Sequence, residues 1–563
     1  MDRIIDIKKL FHEKKYSEII FYLENKLTEN QKDSANLNLL GACRLLKGKA
    51  NKEDLFLALS DFRLAYLIEE KTNNSKEAFL NFINVSIDLF EYENSKKNHR
   101  LSSENFMEVI KYFEKNEIFF LKDTRIILGI IRVYKRLADT NKVNMCLETL
   151  LKNENFNPFI INNYIYNNCF SKNWAQKDFL KYGKILDQYL PSYSKDKIIP
   201  LNLKKKQKIR IGFLSADLKK KHPITYFLKT ILTSYNQNEF EIFLYLNQKE
   251  KDEDKTTIDF KQLAFKSREI FDLSDIEAIN EIRGDSIDIV IDLMGVTSKN
   301  RLSLIKNRIA PAQILWCGYC NTTGIKEMDY IIADPNLINK SESNEYSEKI
   351  ICLPKIWNCH SGINIERKYT EPPLVRNKGI TFGSFNNFRK INDSVVKVWS
   401  TILKQIPNSK LILKSSSVLS NDLLSKKFRE YEVLQFIEFE PFVKDFKSHM
   451  NLYKKIDIAL DTFPYNGVTT SFESIWMGVP VLTMKGYNFN SRCGESINKN
   501  LGMHDLIAKN EMEYILKANQ IASDYKKLTK IRKKIFDNAL TSPLFDVEDF
   551  SNNFFQSLKK ILN

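Results

Sequence analysis

The hydrophobic period of this chain changes near residue 208, and that change limits the folds open to it. Up to about residue 190 apolar residues recur at helical spacing and glycine is scarce. Beyond it come short β-branched runs: KIRIGFL at 208–214, FEIFLYL at 240–246, IDIVIDL at 287–293, AQILWC at 312–317 and DYIIAD at 329–334. Helical stretches separate several of them. Strands that are apolar almost throughout are buried on both faces, so they predict a parallel sheet with helices on each side. A second series follows the polar segment around Pro372 to Asn377: GITFGSF at 379–385, KLILK at 410–414, IDIALDT at 456–462 and VPVLTM at 479–484. Residues 511–563 read as helical again. Two doubly wound units in tandem leave a cleft at the carboxyl ends of their strands, where open α/β sheets bind ligands.

The predicted architecture is therefore helical repeats over 1–190, a first Rossmann-like half over 207–375, and a second over 376–563. A length of 563 residues agrees with about three domains, and 43% hydrophobic content is enough to bury several cores. With 17 Gly and 14 Pro the chain is neither collagen-like nor of low complexity. The charge balance, 86 − 70 = +16, suits a partner carrying phosphates: a nucleic acid, a membrane surface or a nucleotide. No nucleic-acid reading motif accompanies it. Eight cysteines lack any framework spacing and read as reduced thiols of a cytoplasmic protein. MDRIIDIKKLFHEKK has no signal-peptide core, and no run approaches 18 apolar residues, so no membrane span is expected.

Within the helical region, Leu39-Leu40-Gly41-Ala42-Cys43-Arg44 followed by Ala58, Phe62 and Ala65 resembles the tetratricopeptide (TPR) pattern of Leu-Gly in one helix and small-large-small in the next. Helices around Ala78 to Tyr92 and Phe106 to Phe120 continue the rhythm, and an unrelated helical bundle is the alternative. Such an array offers a curved surface to extended peptides or to self-association into a homo-oligomer. A charged linker, Pro191 to Lys208, carries Lys204-Lys205-Lys206.

Four segments could carry chemistry. The run Asp461-Thr462-Phe463-Pro464-Tyr465-Asn466-Gly467-Val468-Thr469-Thr470-Ser471-Phe472-Glu473 leads from a buried strand through a turn at Gly467 into a helix start. Helix starts offer unpaired N–H groups and a positive dipole end to phosphate, and Thr469 and Thr470 could add hydroxyl donors. The plainer alternative is a capping box formed by Thr470 and Glu473. In Phe385-Asn386-Asn387-Phe388-Arg389-Lys390-Ile391, Lys390 follows a strand and could neutralise a diphosphate, or could merely be solvated. His222 follows the first strand and precedes Pro223 at a helix start, where it could orient an acceptor, move a proton, or be only structural. His449 and Tyr453, one helical turn apart, could border a nucleotide base or cap a packed helix. Trp316-Cys317-Gly318-Tyr319-Cys320 has the form of a redox centre, but Asn321-Thr322-Thr323-Gly324 after it is a turn, not the helix that such chemistry needs.

Taken in order, these blocks resemble the protein O-GlcNAc transferase and SPINDLY family of glycosyltransferases. The resemblance covers about residues 207 to 545. It is carried by SADLKKKHPITYF, IDLMGVTSKNRL, RIAPAQILWCGYCNTTGIKEMDYIIADP, SFNNFRKI, IDIALDTFPYNGVTTSFESIWMGVPVLTM, FNSRCGESI and SPLF. It implies TPR repeats before a GT-B catalytic region of two Rossmann-like domains. It implies Lys390, Thr469 and Thr470 at the donor diphosphate, Glu473 at the ribose, His449 against the base, and Asn387 and Gly467 at the donor. His222 falls at the active-site histidine near the acceptor. Val468 stands where animal members have His, Tyr226 replaces a second His, and Val296 stands where an aromatic or His is usual.

The implied reaction is transfer of a sugar, with inversion, from a nucleotide-sugar (UDP-GlcNAc) to a protein Ser or Thr hydroxyl. No metal and no cofactor are expected. Lys390 and a helix dipole take the place of a divalent ion, and no Asp-x-Asp pair lies at a strand end in the cleft. Two alternatives stay open: another donor, GDP-fucose or a UDP-hexose, and a catalytically silent TPR scaffold.

Overall fold

A computed structural model describes residues 6–26, 33–47, 51–70, 76–96, 100–153, 156–193, 208–220, 222–377, 379–414, 418–441, 443 and 445–562. The chain forms two compact units, residues 1–154 with 415–424, and residues 155–414 with 425–563. Lys204 to Lys206 and Lys221 lie outside the described residues.

The first unit is built of helices that pack against their sequence neighbours. Helices Ser34–Leu46 and Lys52–Glu70 form the pair that the Leu-Gly pattern predicted. A Cβ on Gly41 would lie 2.9 Å from the Phe62 ring, so the glycine lets the two helices approach. Arg44 closes the pair from within. Its Nε donates to Asp61 Oδ2 at 2.8 Å and its Nη2 to Glu24 Oε1 at 2.8 Å. The next pair is Lys76–Lys96 with Arg100–Lys115. The helix expected to run through Phe120 instead stops at Lys115, and a separate turn, Glu117–Phe120, follows. Asn116 breaks it: its side-chain amide donates to Tyr112 O at 3.0 Å, the local competition with the backbone that disfavours Asn in helices.

The second unit holds two all-parallel sheets. The first comprises β1 Ile209–Ser215, β2 Phe240–Leu246, β3 Lys266–Glu269, β4 Ile289–Asp292, β5 Ala312–Leu315, β6 Tyr330–Ala333 and β7 Lys349–Cys352, in the order β3-β2-β1-β4-β5-β6-β7. The second comprises β8 Thr381–Ser384, β9 Lys410–Lys414, β10 Ile437–Glu440, β11 Ile458–Leu460, β12 Val481–Met484 and β13 Ile507–Ala508, in the order β10-β9-β8-β11-β12-β13. Central strands are buried on both faces: Phe213 on β1 sits between Leu244 and Ile291.

Residues 155–190 differ from the expected layout, since they belong to the unit of the sheets and not to that of the repeats. Helix Pro158–Asn168 bonds through Asn162 Nδ2 to Val296 O at 2.7 Å, and helix Gln176–Tyr189 through Gln176 Nε2 to Asn321 Oδ1 at 2.7 Å. The terminal helix Val547–Leu562 also leaves its expected half. Phe554 packs on Trp316, just after β5, and Phe555 on Phe240 of β2, with ring centroids 4.9 and 4.5 Å apart. Arg492 grips Glu342 bidentately at 2.5 and 2.8 Å, tying the two sheets' halves and holding that carboxyl at a pKa of about 2.

Candidate active site

In each sheet the strand order reverses beside the first strand, between β1 and β4 and between β8 and β11. Loops leaving these four strands diverge, so their carboxyl ends open a crevice. One cavity of about 450 Å³ draws on all four loops. From β1 come Asp217 and His222, and from β4 Thr297 and Ser298. From β8 come Asn386, Asn387 and Lys390, and from β11 Tyr465 and Val468 to Thr470.

Asn387 starts the short 3-10 turn Phe388–Lys390, its Oδ1 accepting Arg389 N at 3.0 Å. That turn delivers Lys390 to the β11 loop, where its Nζ donates to Asn466 O at 2.7 Å and lies 4.2 Å from the Tyr465 ring centre. Among the described residues no carboxylate forms an ion pair with it. Burial lowers its pKa to about 8, with the charge of Asp461 acting in the opposite sense. The ammonium thus keeps its charge at neutral pH without an ion-pair partner.

Asp461 shapes the β11 loop by accepting Gly467 N at 2.7 Å, Thr462 N at 2.9 Å and Thr483 Oγ1 at 2.8 Å. Burial raises its carboxyl to about 6. Gly467 does not line the cavity; a Cβ there would fall 2.5 Å from Thr470 Oγ1 and 2.8 Å from Asn386 Oδ1, which are bonded to each other at 3.0 Å.

Helix Thr469–Trp476 begins after Val468, whose apolar side chain caps nothing. The capping box expected from Thr470 and Glu473 does not form. Glu473 turns away from the helix start to accept His449 Nε2 at 2.9 Å and Tyr453 OH at 2.9 Å. The first N–H groups of the helix therefore have no side-chain cap and open beside Lys390 on the cavity. His449 and Glu473 are buried against each other and are not among the residues lining the cavity.

His222 precedes helix Pro223–Leu232, with Pro223 at its first turn as the sequence predicted. Its Nε2 lies 3.7 Å from Asp217 Oδ2, while its Nδ1 is buried without a hydrogen-bond partner. Burial lowers its pKa, more than Asp217 raises it. Tyr226 stacks on buried His360 at 4.8 Å and 17°, and Val296 is fully buried.

His222, Lys390, Asn387, Thr469 and Thr470 thus share one cavity, whereas Gly467, His449 and Glu473 stand outside its lining. Reading the residues alone missed several wall residues. Tyr166 comes from helix Pro158–Asn168, whose period is indistinguishable from that of the repeats. Cys317 and Cys320 line the cavity in a non-helical loop, with Cys317 at φ 71°. Asn490 and Cys493 come from helix Phe489–Asn500, within the FNSRCGESI block, whose spacing alone suggests no chemistry.

Residues 185–371 and 361–554 match the glycosyl transferase family 41. The chain belongs to glycosyl transferase family 41. Within that family it is 33% identical over 351 residues to the probable UDP-N-acetylglucosamine-peptide N-acetylglucosaminyltransferase SPINDLY of Solanum lycopersicum, covering 61% of this chain and 37% of that protein. It is 28% identical over 372 residues to the probable enzyme of the same name, SEC, of Arabidopsis thaliana, covering 63% of this chain and 37% of that one. The chain so spans little more than a third of the length of these curated relatives. A mutant of the O-GlcNAc transferase of Thermobaculum terrenum superposes with a TM-score of 0.77 at 20% identity, over 94% of this chain and 98% of that one. That likeness shows the same fold, helices followed by two Rossmann-like sheets. Among the described residues no helix is long and apolar enough to cross a membrane. The family 41 match begins at 185, downstream of Tyr166, which lines the cavity.

Proposed function

We propose that this chain transfers N-acetylglucosamine from UDP-N-acetylglucosamine to Ser or Thr hydroxyls of proteins, with inversion at the anomeric carbon. One observation carries the reading: an ammonium without a carboxylate partner, Lys390, and the uncapped start of helix Thr469–Trp476 face one cavity at the switch points of two Rossmann-like sheets. The names of the SPINDLY and SEC relatives supply the donor and the acceptor class.

In this reaction the acceptor oxygen forms a bond to the anomeric carbon as the bond from that carbon to the β-phosphate oxygen breaks. Negative charge grows on the departing nucleoside diphosphate. Lys390 and the N–H groups and hydroxyls of Thr469 and Thr470 stabilise that charge from fixed positions, which costs no reorganisation as the charge develops. In the same reading Asn387 and Gly467 serve the donor, directly or through loop shape, while His449 and Glu473 back the nucleotide. His222, neutral at pH 7, orients the acceptor hydroxyl or takes its proton. No metal or cofactor enters, because lysine and the helix terminus supply the positive charge. The helical repeats of the first unit serve as the acceptor-chain surface. A cytoplasmic location belongs to the same proposal, supported by eight unpaired thiols.

A second reading keeps the fold and changes the donor to GDP-fucose or a UDP-hexose. It draws on Val468, which places an apolar side chain on the cavity at the helix start. Thermal-shift titration with UDP, GDP and their sugars separates the two. Stabilisation by UDP and UDP-N-acetylglucosamine supports the first reading, and stabilisation by GDP alone overturns it.

A further inference from the structure

The direct contacts of Lys390 are with neutral groups, the carboxylate of Asp461 acting on it without an ion pair. One of its N–H donors goes to Asn466 O at 2.7 Å, and one flank rests on the face of Tyr465, 4.2 Å from the ring centre. The Tyr465 ring is itself stacked on Phe170, with centroids 5.0 Å apart and planes 18° from parallel. Over Phe170 lies the guanidinium of Arg389, 4.5 Å from its ring centre. Two consecutive cationic residues, Arg389 and Lys390, are thus fixed by one two-ring stack. Arg389 is further tied by Nη2 to Asn167 Oδ1 at 3.1 Å.

The chemistry of this arrangement differs from that of an ion pair. A carboxylate at Lys390 would fix it equally well, but would cancel its charge and occupy the donors that a phosphate needs. An aromatic face attracts the cation through its quadrupole, accepts no strong hydrogen bond and leaves the net charge intact. With Asn466 O taking one of three N–H donors, two remain for an anion.

We infer that Tyr465, backed by Phe170, is a positioning residue for Lys390, holding its ammonium at the cavity with its charge unspent. Phe170 lies upstream of residue 185, where the family match starts. The device therefore recruits a chain segment outside the family's matched span. The inference rests on the reading of Lys390 as the cation that meets the donor diphosphate.

The test compares Tyr465→Phe, which keeps the ring, with Tyr465→Leu, which removes it, and adds Phe170→Leu. The first measurement needs no catalysis. In protein labelled with ¹³C at lysine Cε, the Lys390 signal is assigned by its loss in Lys390→Met. Its protons should be shifted upfield by the ring current of Tyr465, keep that shift in Tyr465→Phe and lose it in Tyr465→Leu. A Lys390 signal at the ordinary lysine position in the unmodified protein overturns the inference, even if Tyr465→Leu fails to fold. The second measurement is steady-state transfer. Tyr465→Leu should lower kcat about tenfold, Phe170→Leu about threefold, and Tyr465→Phe by less than about twofold. Equal losses in Tyr465→Phe and Tyr465→Leu overturn it. An upfield-shifted lysine in a protein that transfers no sugar would sink the proposed reaction while leaving the positioning intact.

Discussion

The Nζ of Lys390, on the loop after β8, donates to the carbonyl oxygen of Asn466, on the loop after β11, across 2.7 Å. That bond joins the two strands flanking the switch point of the second sheet and sets a cation beside the start of helix Thr469–Trp476. Because the charge serves ligand binding and not folding, it should cost stability when no ligand is present. Its pKa falls from the ordinary lysine value to about 8, so between pH 8 and the lysine range the unfolded chain binds the extra proton. Stability therefore rises with pH across that window, and below it the penalty is fully present. Lys390→Met should raise the Tm of the free protein at pH 7, with the gain shrinking from about pH 8 upward and gone above about pH 10.5. The same variant should lower kcat about a hundredfold, roughly 3 kcal/mol. Calorimetry over pH and a transfer assay check both, and undiminished transfer removes Lys390 from the mechanism.

Activity should also have an acid limit set by His222. Its pKa lies below the usual histidine value because burial disfavours the charged form, Asp217 restoring only part. The neutral ring is the form able to accept a proton, so kcat/KM should hold through pH 7 and fall only as pH drops below about 6.5. His222→Ala should abolish that limb and reduce kcat. A limb unchanged in the variant assigns the titration to another group.

Glu473 is predicted to matter first for folding. It accepts both His449 Nε2 and Tyr453 OH in a site shielded from water, so Glu473→Ala strands two buried polar groups. The cost should be about 2 to 4 kcal/mol, read as a lower Tm, and Glu473→Gln should recover much of it. If Glu473→Gln keeps the Tm but binds UDP more weakly, the carboxylate also acts on the nucleotide.

How far the sequence foretold this site depends on where periodicity carries information. Central strands were readable because burial on both faces leaves an unbroken apolar run; β2 and β9 coincide with FEIFLYL and KLILK. The edge strand β3, Lys-Ser-Arg-Glu, has no apolar run, since an edge faces water and needs none. The convergence of Lys390, Asn387 and His222 followed from their places after first strands, and that of Thr469 from its place after a buried strand and a turn. The turning of Glu473 toward His449 did not, because Thr470 and Glu473 have the same spacing whether they cap a helix or face elsewhere. Tyr166 and Phe170 were hidden for a related reason: helical period shows that a helix exists, not which unit it joins.

Gly467 offers the sharpest test of the loop. It sits outside the cavity, yet a Cβ there would meet Thr470 Oγ1 at 2.5 Å and Asn386 Oδ1 at 2.8 Å, distances that real Cβ contacts do not adopt. Gly467→Ala must therefore part the Thr470 hydroxyl from the Asn386 amide, now bonded at 3.0 Å, and turn that hydroxyl at the start of helix Thr469–Trp476. Asp461 still anchors the loop through Gly467 N, which alanine retains, so the fold should survive with a small loss of Tm. Turning that hydroxyl from its anion forfeits a charge-assisted hydrogen bond, and UDP affinity should fall about tenfold, near 1.4 kcal/mol. Isothermal titration of UDP into both proteins measures this directly. Equal affinities would mean that the Thr470 hydroxyl does not hold the diphosphate.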